Sequence, residues 1–207
     1  MRYAIQQTGE SRSFPAGDKF LAGAAAQADV VLYLGTRPVL DAAKQAVLVE
    51  LGSECLAEHV DETAPAAKNV LGFARYRNGA DAPSNLVELV RFASTGEQAI
   101  AAATAVLEAA GLKVVVCADQ PGRILDRLLR PKYNAALRFF DEGLATQADM
   151  DTTCKLGLGY PDGPIERVLR GGLKHHYDVT QALFETYGTP AYAPPRLAVA
   201  AARREDT

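Results

Sequence analysis

The sequence predicts an α/β domain with a mostly parallel sheet over residues 1–118, followed by an all-helical domain over residues 119–207. Two observations carry this prediction. Short apolar runs rich in branched residues alternate with helical patterns in the first half, as a sheet buried on both faces requires. After the turn Asp119-Gln120-Pro121-Gly122 no such run recurs, and the apolar residues fall at helical spacing instead.

The strand runs are Tyr3–Gln6, Val30–Leu34, Ala46–Leu51, Asn69–Arg75, Leu86–Phe92 and Lys113–Cys117. Between them, residues 18–27 (DKFLAGAAAQ) and 96–110 (GEQAIAAATAVLEAA) have helical patterns. In the second of these, Ser94 and Glu97 have capping-box spacing, and Ile100, Ala103, Leu107 and Ala110 share a face. Gly111 supplies a left-handed stop before the next strand. Beyond the turn, an apolar stripe through Ile124, Leu128, Leu129, Ala136, Leu137 and Phe140 runs to Gly143, with Pro131 expected to bend the helix. Thr146 is placed to cap a second helix, with Asp149 as its short-armed box partner. Pro164 is placed to open a third, and residues 178–186 (DVTQALFET) form the last.

Composition excludes several classes. The apolar share of 48% beside 23% charged residues is that of an ordinary globular protein, not a disordered or fibrous one. There is no apolar run long enough to span a bilayer and no secretory pattern in the opening residues, so a soluble cytoplasmic protein is expected. A net charge of -3 with scattered basic residues argues against a nucleic-acid partner. Cys55, Cys117 and Cys154 lie far apart and read as reduced packing residues. His175 and His176 are adjacent, about 100° apart on a helix, a poor geometry for a shared metal.

Three motifs carry a family resemblance. Asp119-x-Pro121-Gly122 leads into Arg127-Leu128-Leu129-x-Pro131. Asn134-Ala135-Ala136 precedes Glu142-Gly143-x-Ala145-Thr146-x-x-Asp149-Met150-Asp151. Gly157-x-Gly159-x-Pro161-x-Gly163-Pro164 closes the set. This stretch resembles the C-terminal domain of the 3-hydroxyacyl-CoA dehydrogenases. Upstream the likeness is weaker: Val47–Ser53, Asn69–Ala74 and Leu86–Val90 are similar to successive family strands in order and spacing. The resemblance implies a reduced Rossmann-like domain followed by a helical domain of the 6-phosphogluconate dehydrogenase C-terminal type. It also implies a homodimer through the helical domain and acyl-CoA as a ligand class.

The chemistry of that family needs a base for the hydroxyl proton, met by a histidine oriented by a glutamate. By resemblance Glu88 holds the glutamate position, but the histidine position is Ala74, and Arg75-Tyr76-Arg77-Asn78 departs from the family pattern after it. Loss of a positioned acid or base costs on the order of 100- to 10,000-fold in rate. Ser53 matches the family's substrate-hydroxyl serine and Asp126 replaces an asparagine. Each also has a plain reading, Ser53 as a loop serine and Glu88 as a solvent-facing or edge carboxylate. Arg123, at a family phenylalanine position, is spaced to pair with Asp126 on one helix, most simply as a solvated surface pair. The basic residues near the boundary read either as contacts to CoA phosphates or as a solvated face.

A dinucleotide fingerprint needs several glycines where the first strand meets its helix, so that backbone N–H groups approach the pyrophosphate. Here Thr8-Gly9-Glu10-Ser11-Arg12 offers one glycine followed by an acid, and the segment before Ala28 is too short for two complete crossovers. No cofactor is therefore expected. NAD enters only under the alternative, in which an active oxidoreductase holds it differently and recruits Glu88, Ser53 or Tyr76 for proton transfer. The preferred expectation is a diverged family member without standard turnover, retained for acyl-CoA-related binding or assembly.

Overall fold

A computed structural model of the chain describes residues 2–205, which form two compact units. One comprises the chain up to Arg77 together with Ala82–Arg123, and the other comprises Asn78–Asp81 and the chain from Ile124 on.

The first unit is built on six strands, β1 (Tyr3–Gln7), β2 (Val30–Leu34), β3 (Ala46–Glu50), β4 (Val70–Arg75), β5 (Leu86–Arg91) and β6 (Lys113–Ala118). They lie in sequence order across one sheet, and every neighbouring pair is parallel except β4 with β5. Alternation along the strands sorts side chains to two faces. Leu32, Leu48, Leu71, Phe73 and Leu89 join one core with α2 (Glu97–Ala109), whose Ala103, Val106 and Leu107 are buried against it. Val47, Val49, Val70 and Val90 join a second core with Leu56 and Val60 on the other face. The mostly parallel, doubly covered sheet is the predicted one, though β6 is an edge strand with Val115 and Val116 exposed.

Local expectations fare unevenly. The helix expected over residues 18–27 is a single turn, α1 (Lys19–Ala22), because Gly23 ends it and Tyr3 donates its hydroxyl to the Phe20 carbonyl just there. The Ser94–Glu97 box does not form. Gly96 is the N-cap of α2 without a side-chain bond, and Thr95 turns its hydroxyl to the Phe92 N–H and the Val70 carbonyl. Gly111 does adopt the left-handed conformation, at φ 82°.

The second unit is helical: α3 (Leu125–Asp141), α4 (Gln147–Leu158), α5 (Pro164–Gly171), α6 (Leu173–Tyr187) and α7 (Arg196–Glu205). Its core includes Tyr133, Leu137, Ile165 and Val168, with Val179, Leu183 and Tyr192 in a second cluster. Thr146 caps α4 as expected, accepting from the Asp149 N–H. Pro164 opens α5, and the next two N–H groups, of Ile165 and Glu166, are both taken by the Asp151 carboxylate at 2.9 and 3.0 Å. Gly163 makes this possible, since a Cβ there would overlap the Asp151 carboxyl carbon. The helix read as residues 178–186 begins earlier, at Leu173, and α7 has no counterpart in the sequence reading. Among the described residues no helix is long and apolar enough to cross a membrane.

Candidate functional site

The antiparallel register of β4 and β5 places Ala74 directly opposite Glu88. Both lie on the sheet face opposite Phe73, Val87 and Leu89, as strand alternation requires. A histidine at position 74 would thus face a carboxylate across the ladder; the alanine offers no nitrogen.

Glu88 is not the solvent-facing or edge carboxylate of the plain sequence reading. It is 4% exposed, because the Leu-Val-Glu-Leu-Val strand is buried on both faces, and a buried carboxylate requires a partner. That partner is Arg123, 35 positions away, with Nε 3.3 Å from the Glu88 carboxylate. The same guanidinium donates to the Gly52 carbonyl at 2.5 Å and the Glu54 carbonyl at 3.4 Å. Arg123 has φ 46°, left-handed backbone in a residue with a Cβ, and its side chain is 4% exposed. Non-glycine residues hold that conformation at a cost of roughly 1–2 kcal/mol, which the buried ion pair and the carbonyl contacts offset.

The expected Arg123–Asp126 surface pair is therefore absent. Asp126 instead binds Arg130 one helical turn on, at 2.8 Å, and Arg130 is buried rather than solvated. Arg130 reaches His176 Nδ1 at 3.2 Å, and His176 Nε2 meets Asn134 Oδ1 at 2.8 Å. A guanidinium only donates, so His176 is neutral with its proton on Nε2. Burial first, then the Arg130 charge, hold its pKa down at about 3. Both ring nitrogens are used within the helical unit, which leaves none for a metal. Among the described residues no cluster of three or more histidine, cysteine or acidic side chains forms a metal site.

Ser53 lies in the turn after β3, where its carbonyl accepts the Gly122 N–H at 2.8 Å. The Arg123 guanidinium binds the carbonyls on either side of it. Arg123 thus draws together Glu88 and the Ser53 turn, while Asp126 belongs to the buried network of the helical unit. Cys117 is pushed up to about 11, first by burial and then by the Glu88 charge, so it supplies no thiolate at neutral pH.

The segment following β1 crosses the carboxyl ends of the parallel strands, the edge where open α/β sheets seat their ligands. Ser11 Oγ and the Ser13 N–H both donate to Glu50 at the end of β3, at 2.7 and 2.8 Å. Arg75, at the end of β4, binds the Ser13 carbonyl at 3.1 Å and Asp18 at 2.9 Å, and Phe14 is fully buried between these ties. Beside the segment a cleft of about 490 Å3 is lined by Glu10, Glu50, Glu54 and Glu58 against Arg12 and Arg37, with His59 held by Glu54 at 3.1 Å. Burial acts to raise the Glu54 carboxyl, but the Gly52 N–H and His59 outweigh it and hold it below the ordinary range. Four carboxylates against two guanidiniums repel a pyrophosphate, and the Thr8–Arg12 turn contains one glycine followed by an acid. The residues present do not fit a dinucleotide bound in the usual way.

The family described as 3-hydroxyacyl-CoA dehydrogenase, C-terminal domain, matches residues 122–205. The helical unit is thus similar to the C-terminal domain of the 3-hydroxyacyl-CoA dehydrogenases. The 3-hydroxybutyryl-CoA dehydrogenase of Mycobacterium tuberculosis is 37% identical over 116 residues, covering 54% of this chain and 40% of that protein. The human mitochondrial hydroxyacyl-coenzyme A dehydrogenase is 40% identical over 81 residues, 39% of this chain and 26% of that protein. The chain thus spans well under half the length of these dehydrogenases. The crystal structure of M. tuberculosis FadB2 superimposes with a TM-score of 0.75 at 25% identity, covering 87% of this chain and 67% of that one. The fold is therefore the Rossmann-like sheet plus helical domain of the 3-hydroxyacyl-CoA dehydrogenases.

Sequence reasoning missed the Arg123–Glu88 pair. A lone acid inside an apolar strand was the available signal, since such a carboxylate demands a cation from elsewhere in the chain.

Proposed function

We propose that this protein is a 3-hydroxyacyl-CoA dehydrogenase-like protein of acyl-CoA metabolism that has no standard NAD-dependent turnover and serves acyl-CoA-related binding or assembly. One observation carries the reading: the carboxylate that would orient a catalytic histidine is buried against Arg123, and the residue opposite it is Ala74. Proton transfer from a substrate hydroxyl then has no acceptor of suitable pKa at the family position. The helical unit supplies the assembly surface, a homodimer contact, supported by Leu128, Leu144, Leu156 and Leu158 at 63–84% exposure. A cytoplasmic location belongs to the same proposal.

Mixing the purified protein with acetoacetyl-CoA and NADH and following absorbance tests the reading. No NADH consumption above background is the expected outcome, and turnover at rates normal for the family refutes it. Light scattering after gel filtration tests assembly, with a concentration-independent monomer as the contrary result.

A second reading is an active oxidoreductase with non-standard cofactor binding that recruits Glu88, Ser53 or Tyr76 for proton transfer, and it draws on Arg123 bringing Glu88 and the Ser53 turn together. Calorimetric titration with NAD and NADH separates the two. The first reading expects no saturable heat, and the second requires it.

A further inference from the structure

The sheet unit contains a larger cavity, of about 650 Å3, on the face that α2 covers. With four residues α1 covers one turn's length of sheet, and the cavity lies where its Lys19 and Phe20 leave a gap to Val106 and Ala109 of α2. Its volume is in the range of small-molecule sites, about 300–1,000 Å3. Ala74 and Glu88 are on the opposite face, so the cavity is independent of the reading above.

Arg75 is the informative wall. Its side chain is 9% exposed, and its bonds are specific: Nε to the Ser84 carbonyl at 2.5 Å, and Nη1 to Ser13 and Asp18. Nη2 donates to no acceptor among the described residues. These two N–H groups are not sealed from solvent, so they are open to an acceptor from outside the chain. Lys19 adds an exposed ammonium to the same rim, likewise without an acceptor among the described residues. Asp18, the acid on this wall, is already engaged, with one oxygen on Arg75 and the other on the Phe20 N–H. Two cations against one committed carboxylate leave the cavity positive.

We propose that this cavity binds a small organic carboxylate, with Arg75 and Lys19 meeting the anion and Phe20, Val106 and Ala109 facing its apolar body. Arg–carboxylate contacts supply the directional part of such recognition.

Isothermal titration of the full chain with butyrate and benzoate, each against its neutral amide, tests the site. Saturable heat is expected for the acids and none for the amides. Arg75 also ties the Ser13–Asp18 segment, so its removal risks misfolding. Two surface-accessible changes serve instead. Lys19→Glu is expected to weaken carboxylate binding at least tenfold, and Ala109→Trp to abolish it, both with unchanged circular dichroism and melting of the free protein. Amides binding as well as acids, absence of saturable binding by either acid, or either variant binding like the unaltered protein would overturn the proposal.

Discussion

Replacing Arg123 by Met removes a charged side chain that is 4% exposed and takes from Glu88, 5% exposed at its own side chain, the guanidinium that lies 3.3 Å away. Breaking a buried pair from one side costs about 3–5 kcal/mol, because the remaining charge cannot recover its hydration. The carbonyls of Gly52 and Glu54 lose their donor as well, which places the expected loss in the upper part of that range. Backbone strain at φ 46° stays, since Met keeps its Cβ. The double variant Arg123→Met with Glu88→Met removes both charges and is expected to recover all but about 1–2 kcal/mol, as hydrophobic replacement of whole buried pairs does. Urea unfolding of the wild type, both single variants and the double variant, followed by circular dichroism, gives the cycle. A single Arg123→Met variant within about 1 kcal/mol of wild type, or a double variant as costly as the two singles summed, would refute the claim that the pair is a coupled buried unit.

His176 gives a pH prediction. Its folded pKa of about 3 lies below the unfolded value of about 6.5, so its contribution is complete above pH 6.5 and is lost as pH falls toward 3. Between pH 8 and pH 5 the helical unit should lose about 2 kcal/mol from this group, and His176→Gln should remove that slope in denaturation measured at both values. Ala74→His alone should produce no NADH oxidation with acetoacetyl-CoA, because Arg123 still occupies Glu88; measurable turnover would show that the ion pair is no obstacle. Gly163→Ala forces a Cβ onto the carboxylate that caps α5, and a loss of about 1–3 kcal/mol in thermal unfolding is expected, with an unchanged melting curve as the contrary result.

What the sequence disclosed depends on the range of the interaction involved. The strand runs were legible because burial on both faces leaves a local apolar signature, and Thr146 and Pro164 were legible because caps act within one turn. Family spacing assigns Ala74 and Glu88 to the histidine and glutamate positions, and that they stand opposite each other is visible only in the strand register. Arg123 was misassigned because helical spacing to Asp126 is a local signal, whereas the burial of Glu88 is a property of the folded sheet. The ties of Ser11 and Ser13 to Glu50 span nearly forty positions and leave no periodic trace. The helix over residues 18–27 was overread because alanine-rich propensity is weak beside the packing of Tyr3 against Phe20.

Because Glu88 and Arg123 form one buried pair, a histidine dyad across positions 74 and 88 is hard to build by single substitutions. Arginine at position 123 holds the acid that an imidazole at position 74 would engage, and removing it alone breaks a buried ion pair from one side. The ion pair ties the sites together: a protein redesigned toward a dyad has to change positions 74 and 123 at once.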